Sequence, residues 1–576
     1  MKSNKTIASL LTMTLLFAFV LASLPLTAIV HATVTPITML THWNAVKESA
    51  YWEDITNYYE TSVDTSVDIT FEVVDFPDLY NEITLRHVAG NDPDIIHMHA
   101  MWIPAFANWK TMLLAEPPQA VQDNIKADFS PAAVSGVTYK GTVWGLPTEY
   151  NTWALVYNRV LIENKIDDPS TSADDKAFLT TTLNRLEANV TTGGYQPITW
   201  NDLKRAARLL TVWDTSTTPP TIVQNGFFPF VEGMPEEQRF QFMSLLWSNG
   251  GEYLDLSVPT TLFNSQSGYE VMQLYYDLGF STPPETRAYD PLNIPDVWWT
   301  AWEEQSIALA ILPTWMQYIR EAMVENFYNM GVSVLPRGPS LDPGDFPTSL
   351  AYGWVMATTQ KAVNDGKETA VWNFLNWLNT PMAAEAIPEA TPGMRVEFGP
   401  VPRGAGCTIL GDYLIADSII PSRMSDQSTG VVLLGYEEGD GYPGDQILTD
   451  FWFEGFITIA NLYGRPDKPF IKSEEVQAEI GLMFERVVLI GDDPTTAVDD
   501  AAATIQALLP MSGDIDLNGE VDIFEVVFLI VAVSTPAAIP GSSKWVRGRC
   551  DFNDDGIVDV LDIAIYIQNF GRTGDP

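Results

Sequence analysis

A strand–helix alternation begins at residue 37 and restricts this chain more than any other pattern in it. Residues 37–41 read as a strand, 49–61 as a helix with Tyr51, Trp52, Ile55, Tyr58 and Tyr59 at roughly helical spacing, and 67–74 as a second strand. A helix over 78–89 and a buried strand at 94–96 follow. Strands alternating with helices predict an α/β fold on a mainly parallel sheet, whose ligand crevice lies outside the carboxyl ends of the strands. That directs attention to Trp43, Asn44 and residues 97–102.

Further along, 141–147 is a turn-rich approach to a strand at 153–158, the polar stretch 167–175 reads as a loop and 177–189 as a helix. Thr199 caps a helix running to Leu210, and 269–278, 371–378 and 474–490 are helical by pattern. Residues 404–443 are rich in Gly and resist assignment. Near Pro510 the texture changes, and 511–576 reads as a separate small module.

That module carries the sharpest motif. Asp514, Asp516, Asn518, Gly519, Asp522 and Glu525 stand at positions 1, 3, 5, 6, 9 and 12 of a loop over 514–525. Asp551, Asn553, Asp555, Gly556, Asp559 and Asp562 repeat the same six positions over 551–562. A hard dication needs six to eight oxygens, and this spacing converges side chains while Gly at position 6 permits the sharp turn. The carbonyls of Glu520 and Ile557 supply position 7, and Asp522 and Asp559 act through water. Two solvated acidic turns are the plainer alternative, but two copies matching at every ligand position point to two calcium ions. The module holds eleven carboxylates against four basic groups, so a cation is expected to fold it. Two loop-then-helix repeats at this spacing resemble a type I dockerin, which implies a small α-helical domain that plugs into a cohesin. Ile523, Phe524, Val560 and Leu561 occupy loop positions 10 and 11, where dockerins often carry hydroxyl or basic residues.

Lys2 and Lys5 precede an apolar run over 7–30, and Val30-His31-Ala32 offers small residues at a cleavage site. Residues 1–32 therefore read as an export signal, with an uncleaved N-terminal anchor as the alternative, since the run is long enough to span a bilayer. The chain is expected outside the cell or on its surface. Cys407 and Cys550 are too few for a disulfide scaffold, and the sequence leaves their pairing open. Lys and Arg total 31 against 74 Asp and Glu, a formal charge of −43. Such a surplus repels phosphate backbones, which excludes nucleic acid as a partner. The 18 Trp exceed what core packing usually requires and suit a ligand with apolar faces.

Seven segments, in order, resemble the family 1 extracellular solute-binding proteins that deliver sugars to ABC importers. They are residues 89–96 (AGNDPDII), 140–147 (KGTVWGLP), 155–158 (LVYN), 199–203 (TWNDL), the pair Gly250-Gly251, 308–315 and 331–336 (GVSVLP). They cover roughly 37–400, and 475–509 resembles the closing helices of the family. The lengths at 168–196 and 404–470 depart from its usual pattern. The resemblance implies a two-lobed, periplasmic-binding-protein-like fold over 33–510, with hinge crossings near 147–152 and 310–315. It also implies permease subunits as partners and a solute held between the lobes. For an oligosaccharide, which stacks on aromatic rings and needs directional polar partners, the candidates are Trp43, Asn44, Trp102, Glu149, Asn151, Trp315, Tyr352, Trp354 and Arg395. Trp315 stands where the family places a sugar-stacking Trp, whereas Trp102 and Asn151 match by position only. For any single Trp, core packing is the alternative, and Trp247, Trp298, Trp299 and Trp302 are not separable from core.

A peptide is the nearer rival ligand, although peptides are held mainly through their backbone and make less use of aromatic platforms. A dockerin-tethered glycan-active enzyme is the rival of another class, but no nucleophile motif or recognisable acid–base pair stands out. A receptor rather than an enzyme is therefore expected. His97 and His99 on one strand face suit a metal yet lack a third ligand. The glycines at 439, 441 and 444 match a dinucleotide loop only weakly, because Glu437, Glu438 and Asp440 would repel a pyrophosphate.

Overall fold

The computed structural model describes residues 34–42, 46–107, 113–188, 196–218, 220–231, 235–255, 260–292, 294, 301–302, 304–314, 329–380, 422–423, 451–467, 470 and 472–509. The export segment, Trp43, Asn44, Trp298, Trp299, Trp315, Arg395, both cysteines, the glycine run at 439–444 and the whole of 511–576, with every calcium candidate, lie outside them.

The opening alternation folds as its pattern dictates. Strand β1 (Thr35–Thr41), helix α1 (Val46–Tyr58), β2 (Val67–Val73), α2 (Phe76–Val88) and β3 (Ile95–His99) form the first lobe. β1 lies parallel to β2 on one side and to β3 on the other. Ile37, Met39, Leu40, Ile55, Leu79, Ile83 and Ile96 make its core. Asp94, 1% exposed, pins the sheet by accepting the Thr38 N–H at 2.8 Å and the Lys367 ammonium at 3.0 Å.

The strand expected at 153–158 is longer. β4 runs Leu146–Asn158 and is buried along its full length. Residues 141–147 read as a turn-rich approach and 147–152 enter only as a hinge crossing implied by the resemblance, since Thr148, Glu149, Asn151 and Thr152 interrupt the apolar pattern. All four are instead buried, and three have side-chain partners: the Thr152 hydroxyl, for example, donates to the Leu350 carbonyl at 2.7 Å. The first half of β4 pairs antiparallel with β7 (Ser349–Thr358). Its second half pairs with β5 (Leu309–Pro313) and β6 (Met330–Ser333). β7 in turn pairs antiparallel with β3 through residues 354–358 and parallel with β8 (Gly464–Pro466) through 349–351. Two long strands, β4 and β7, thus run from the first-lobe sheet into the second lobe. β7 was not assigned from sequence. β5 follows β4 to Thr314, whose N–H donates to the Thr152 carbonyl at 3.0 Å, and residues 315–328 are not among the described ones.

The second lobe is helical around β5 and β6. It comprises α3 (Arg159–Asp167), α4 (Ala173–Leu186), α5 (Trp200–Leu210), α6 (Pro235–Ser248) and α7 (Gln266–Gly279). α8 (Glu368–Leu378) returns to the first lobe, where Phe374 meets Tyr59 edge to face. α9 (Phe451–Tyr463), α10 (Ser473–Glu485) and α11 (Pro494–Leu508) complete the described chain, with α10 packed on α6 and α11. α4 begins four residues before its expected start, because Ser172 caps it and its polar first turn, Ala173-Asp174-Asp175, looks like a loop in sequence.

Candidate functional site

The carboxyl ends of β1 and β3 meet β7 and β4 at the junction of the lobes. His99 is paired with Trp354 across β3 and β7, and Tyr352 with Asn151 across β7 and β4. Directly opposed residues project to one face of an antiparallel pair, and so do residues two apart on a strand. His99, Trp354, Tyr352 and Asn151 therefore line one face. Gly353 lets the strands close there: the register shifts beside it, and a Cβ on Gly353 would stand 2.3 Å from the Glu149 carbonyl oxygen.

Aromatic rings fill this face. His42 stacks on Trp354 with centroids 3.8 Å apart, and α2 adds Phe76, 5.4 Å from Trp354. Trp102 follows β3 in a single 3₁₀ turn and meets Phe76, Tyr80 and Trp354 at 6.3, 5.3 and 6.1 Å. From α6, Phe240 stacks on Tyr352 at 4.1 Å and on His99 at 5.5 Å.

The polar groups divide into engaged and unengaged. His97 faces the Thr41 hydroxyl at 3.2 Å through Nδ1, and the Thr148 hydroxyl at 3.0 Å and Glu149 at 3.4 Å through Nε2. Thr148 also donates to Glu149 at 2.5 Å. With its nitrogens so engaged, His97 does not start a metal site with His99, and among the described residues no cluster of three His, Cys, Asp or Glu is placed to hold a metal. Asn151 Oδ1 and His99 Nε2 are buried without a hydrogen-bond partner. Burial, then the charge of Arg239, then His97 push the His99 pKa down to about 3. Burial, His97 and His99 hold His42 well below the usual imidazole range. Both rings are neutral at neutral pH.

The second lobe reaches across. Tyr352 donates its hydroxyl to Glu237 at 3.3 Å, Trp102 donates its indole N–H to Glu474, and Ser473 donates to the Met101 carbonyl at 3.1 Å. Behind them the fully buried Arg239 grips Asp467 through two contacts of 2.8 Å.

Five sequence candidates thus come together: Trp102, Glu149, Asn151, Tyr352 and Trp354, all buried. Trp354 stands within β7, and Glu149 is engaged by Thr148 and His97. Trp247 and Trp302 belong to the core. Sequence reasoning missed His42, Phe76, Tyr80, Phe240, Glu237 and Glu474 as site residues, and reached His99 only through the crevice stretch 97–102 and a disfavoured metal pair. His42 could have been found, since it adjoins Trp43 at the end of β1. Phe240 and Glu237 lie in a helix whose pattern gives no sign of which face meets the other lobe.

Residues 44–385, more than half of the chain, match the family described as bacterial extracellular solute-binding protein. The maltotriose-binding protein of Pyrococcus abyssi is 32% identical over 96 residues, 17% of this chain. The match spans 20% of that curated relative's own length. The GacH receptor of Streptomyces glaucescens, solved unliganded and with acarbose, superposes with a TM-score of 0.56 at 15% identity, over 82% of this chain and 98% of that one. The maltose/maltodextrin-binding domain of Bdellovibrio bacteriovorus bound to maltotriose gives 0.56 at 13% identity, over 82% and 99%. Identities this low speak to fold, and the fold is two-lobed and mixed α/β.

Proposed function

The chain belongs to the bacterial extracellular solute-binding proteins, and from that premise we propose that it captures a maltodextrin-class oligosaccharide between its lobes and hands it unchanged to the permease subunits of an ABC importer. The observation that carries this reading is the aromatic face at the lobe junction. A pyranose presents apolar C–H faces to rings and a rim of hydroxyls to directional partners. Trp102, Trp354, Phe76, Tyr80 and Tyr352 offer the first, and the unpartnered Asn151 Oδ1 and His99 Nε2 offer the second. Both polar groups are uncharged at neutral pH, which suits a neutral sugar. The relatives named for maltotriose and maltodextrin support the same class. Trp43, Asn44, Trp315 and Arg395 are proposed as further contacts, with Glu149 acting through its link to His97.

A peptide ligand and a glycan-active enzyme are less favoured, because the relatives are binding proteins and the junction is built of rings rather than of strand edges. Residues 1–32 are proposed as the export signal. We also propose that residues 511–576 form a calcium-folded docking module for a cohesin-like partner. Its donor set, carboxylates with one side-chain amide and one carbonyl per loop, has the chemistry calcium requires. Asp514, Asp516, Asn518, Glu520, Asp522 and Glu525 would hold one ion, and Asp551, Asn553, Asp555, Ile557, Asp559 and Asp562 the other.

Calorimetric titration of the chain with maltose to maltoheptaose and with tetra- to hexapeptides tests the carbohydrate reading. Binding of the sugars, with the sugar recovered intact, is expected. Trp354→Ala should weaken it by about 1–3 kcal/mol through lost stacking. Hydrolysis of the sugar, or binding of peptides alone, would remove the reading.

A further inference from the structure

We propose that Glu474 is a positioning residue for the ligand platform: by accepting the Trp102 indole N–H across the lobe junction, it fixes that ring when the lobes close. The inference rests on the carbohydrate reading above. Trp102 stands on the first lobe, in the turn directly after β3, and its ring is set among Phe76, Tyr80 and Trp354. Its one polar atom, Nε1, turns the other way, to the first turn of α10 in the second lobe.

Three observations make this more than a chance contact. The Glu474 carboxylate is oriented, because its Oε2 accepts from Gln477 Nε2 at 2.6 Å one turn along α10, which leaves Oε1 for the indole. The neighbouring Ser473, 4% exposed, donates to the Met101 carbonyl at 3.1 Å, so two successive residues of α10 grip two successive residues of the turn. Tyr80, which packs on Trp102, feels the same carboxylate: burial first, and then Glu474 and Glu475, push its phenol to about 12.

The consequence follows from where the two partners stand. Trp102 and Glu474 are 372 residues apart, on bodies joined through β4 and β7, so rotation of the lobes makes or breaks their bond. Opening gives the indole N–H to water and frees the ring to turn; closure presents one fixed face to a stacked sugar. A hydrogen bond to a charged acceptor is stronger than a neutral one, and it acts here only after encounter. Its loss therefore belongs in the dissociation rate rather than the association rate.

The test is stopped-flow binding of maltotriose to the full chain and to Glu474→Ala, Glu474→Gln, Trp102→Phe and the Glu474→Ala/Trp102→Phe double variant. Glu474→Ala and Trp102→Phe should each raise the dissociation rate about 5- to 10-fold with the association rate unchanged. The double variant should be no worse than either single one, because one bond is lost once. Glu474→Gln, which keeps an acceptor oxygen, should restore most of the effect. Additive single effects, or a Glu474→Ala dissociation rate within twofold of the parent, would overturn the proposal. If the parent chain binds no saccharide, the carbohydrate reading fails, and the contact is then judged without ligand by small-angle scattering. Glu474→Ala should have a larger radius of gyration than the parent and Glu474→Gln should not; equal values for all three would overturn the contact on its own terms.

Discussion

His99 is 2% exposed, packed against both Tyr352 and Phe240, and held neutral because a proton on its ring would be a buried charge. In the unfolded chain the same imidazole takes up a proton near pH 6.5. The native pKa is depressed to about 3, so the stability this residue contributes is fully present above about pH 6.5 and is lost as pH falls toward the native value. The slope is up to about 1.4 kcal/mol per pH unit for one such group, and His42, depressed by burial and by its two histidine neighbours, adds in the same direction. Urea midpoints measured at about pH 7.5 and about pH 5 should therefore fall together for the parent chain, and should fall less for His99→Phe, which keeps an aromatic plate without the basic nitrogen. An equal fall in both chains would remove His99 from the acid response. The buried Asn151 carbonyl cannot titrate, and the ligand contact proposed for it should persist across that range.

Elements whose signals are local were legible in sequence, and α5 is the clearest. The Thr199 hydroxyl accepts the Asp202 N–H at 3.1 Å, and the Asp202 carboxylate accepts the Thr199 N–H at 2.9 Å, a complete capping box within four residues. Thr199→Ala should cost about 1 kcal/mol in a urea titration and leave sugar affinity unchanged, while Thr199→Ser should cost little. A change in affinity instead would tie α5 to the site. Elements defined by distant partners were not legible. The start of β4 carried no strand pattern in sequence because Glu149 and Asn151 are polar, and only the surrounding strands make them interior. Ser172 and the two acids after it looked like loop residues because a capped first turn and a loop share their composition. The site follows the same division. Trp354 and Tyr352 were legible as aromatics suited to stacking, although the strand that carries them was not, and Trp102 stood just past a strand end. Phe240, Glu237 and Glu474 come from helices whose local patterns announce burial but not the partner, since that depends on how two lobes meet.

On the scale of the whole molecule, the two-lobed part and the proposed docking module would answer to different forces. The two-lobed part is held by a continuous apolar core that runs through β4 and β7. Residues 512–576, by contrast, place eleven carboxylates against four basic groups in a short span, and under the proposed docking reading self-repulsion would oppose their folding until a dication compensates it. The two should therefore separate thermally in the full chain. With millimolar calcium, calorimetric scans should show a second transition that chelator abolishes, while the transition of the two-lobed part and its sugar affinity stay in place. Titrating calcium into the chelator-treated chain should give a stoichiometry of two. Position 1 of each loop supplies an anionic ligand that no backbone group replaces, so Asp514→Ala and Asp551→Ala should each leave one site, and the double variant none. Identical scans with calcium and with chelator would mean that both loops are ordinary acidic turns, and the docking module would then lose its physical basis.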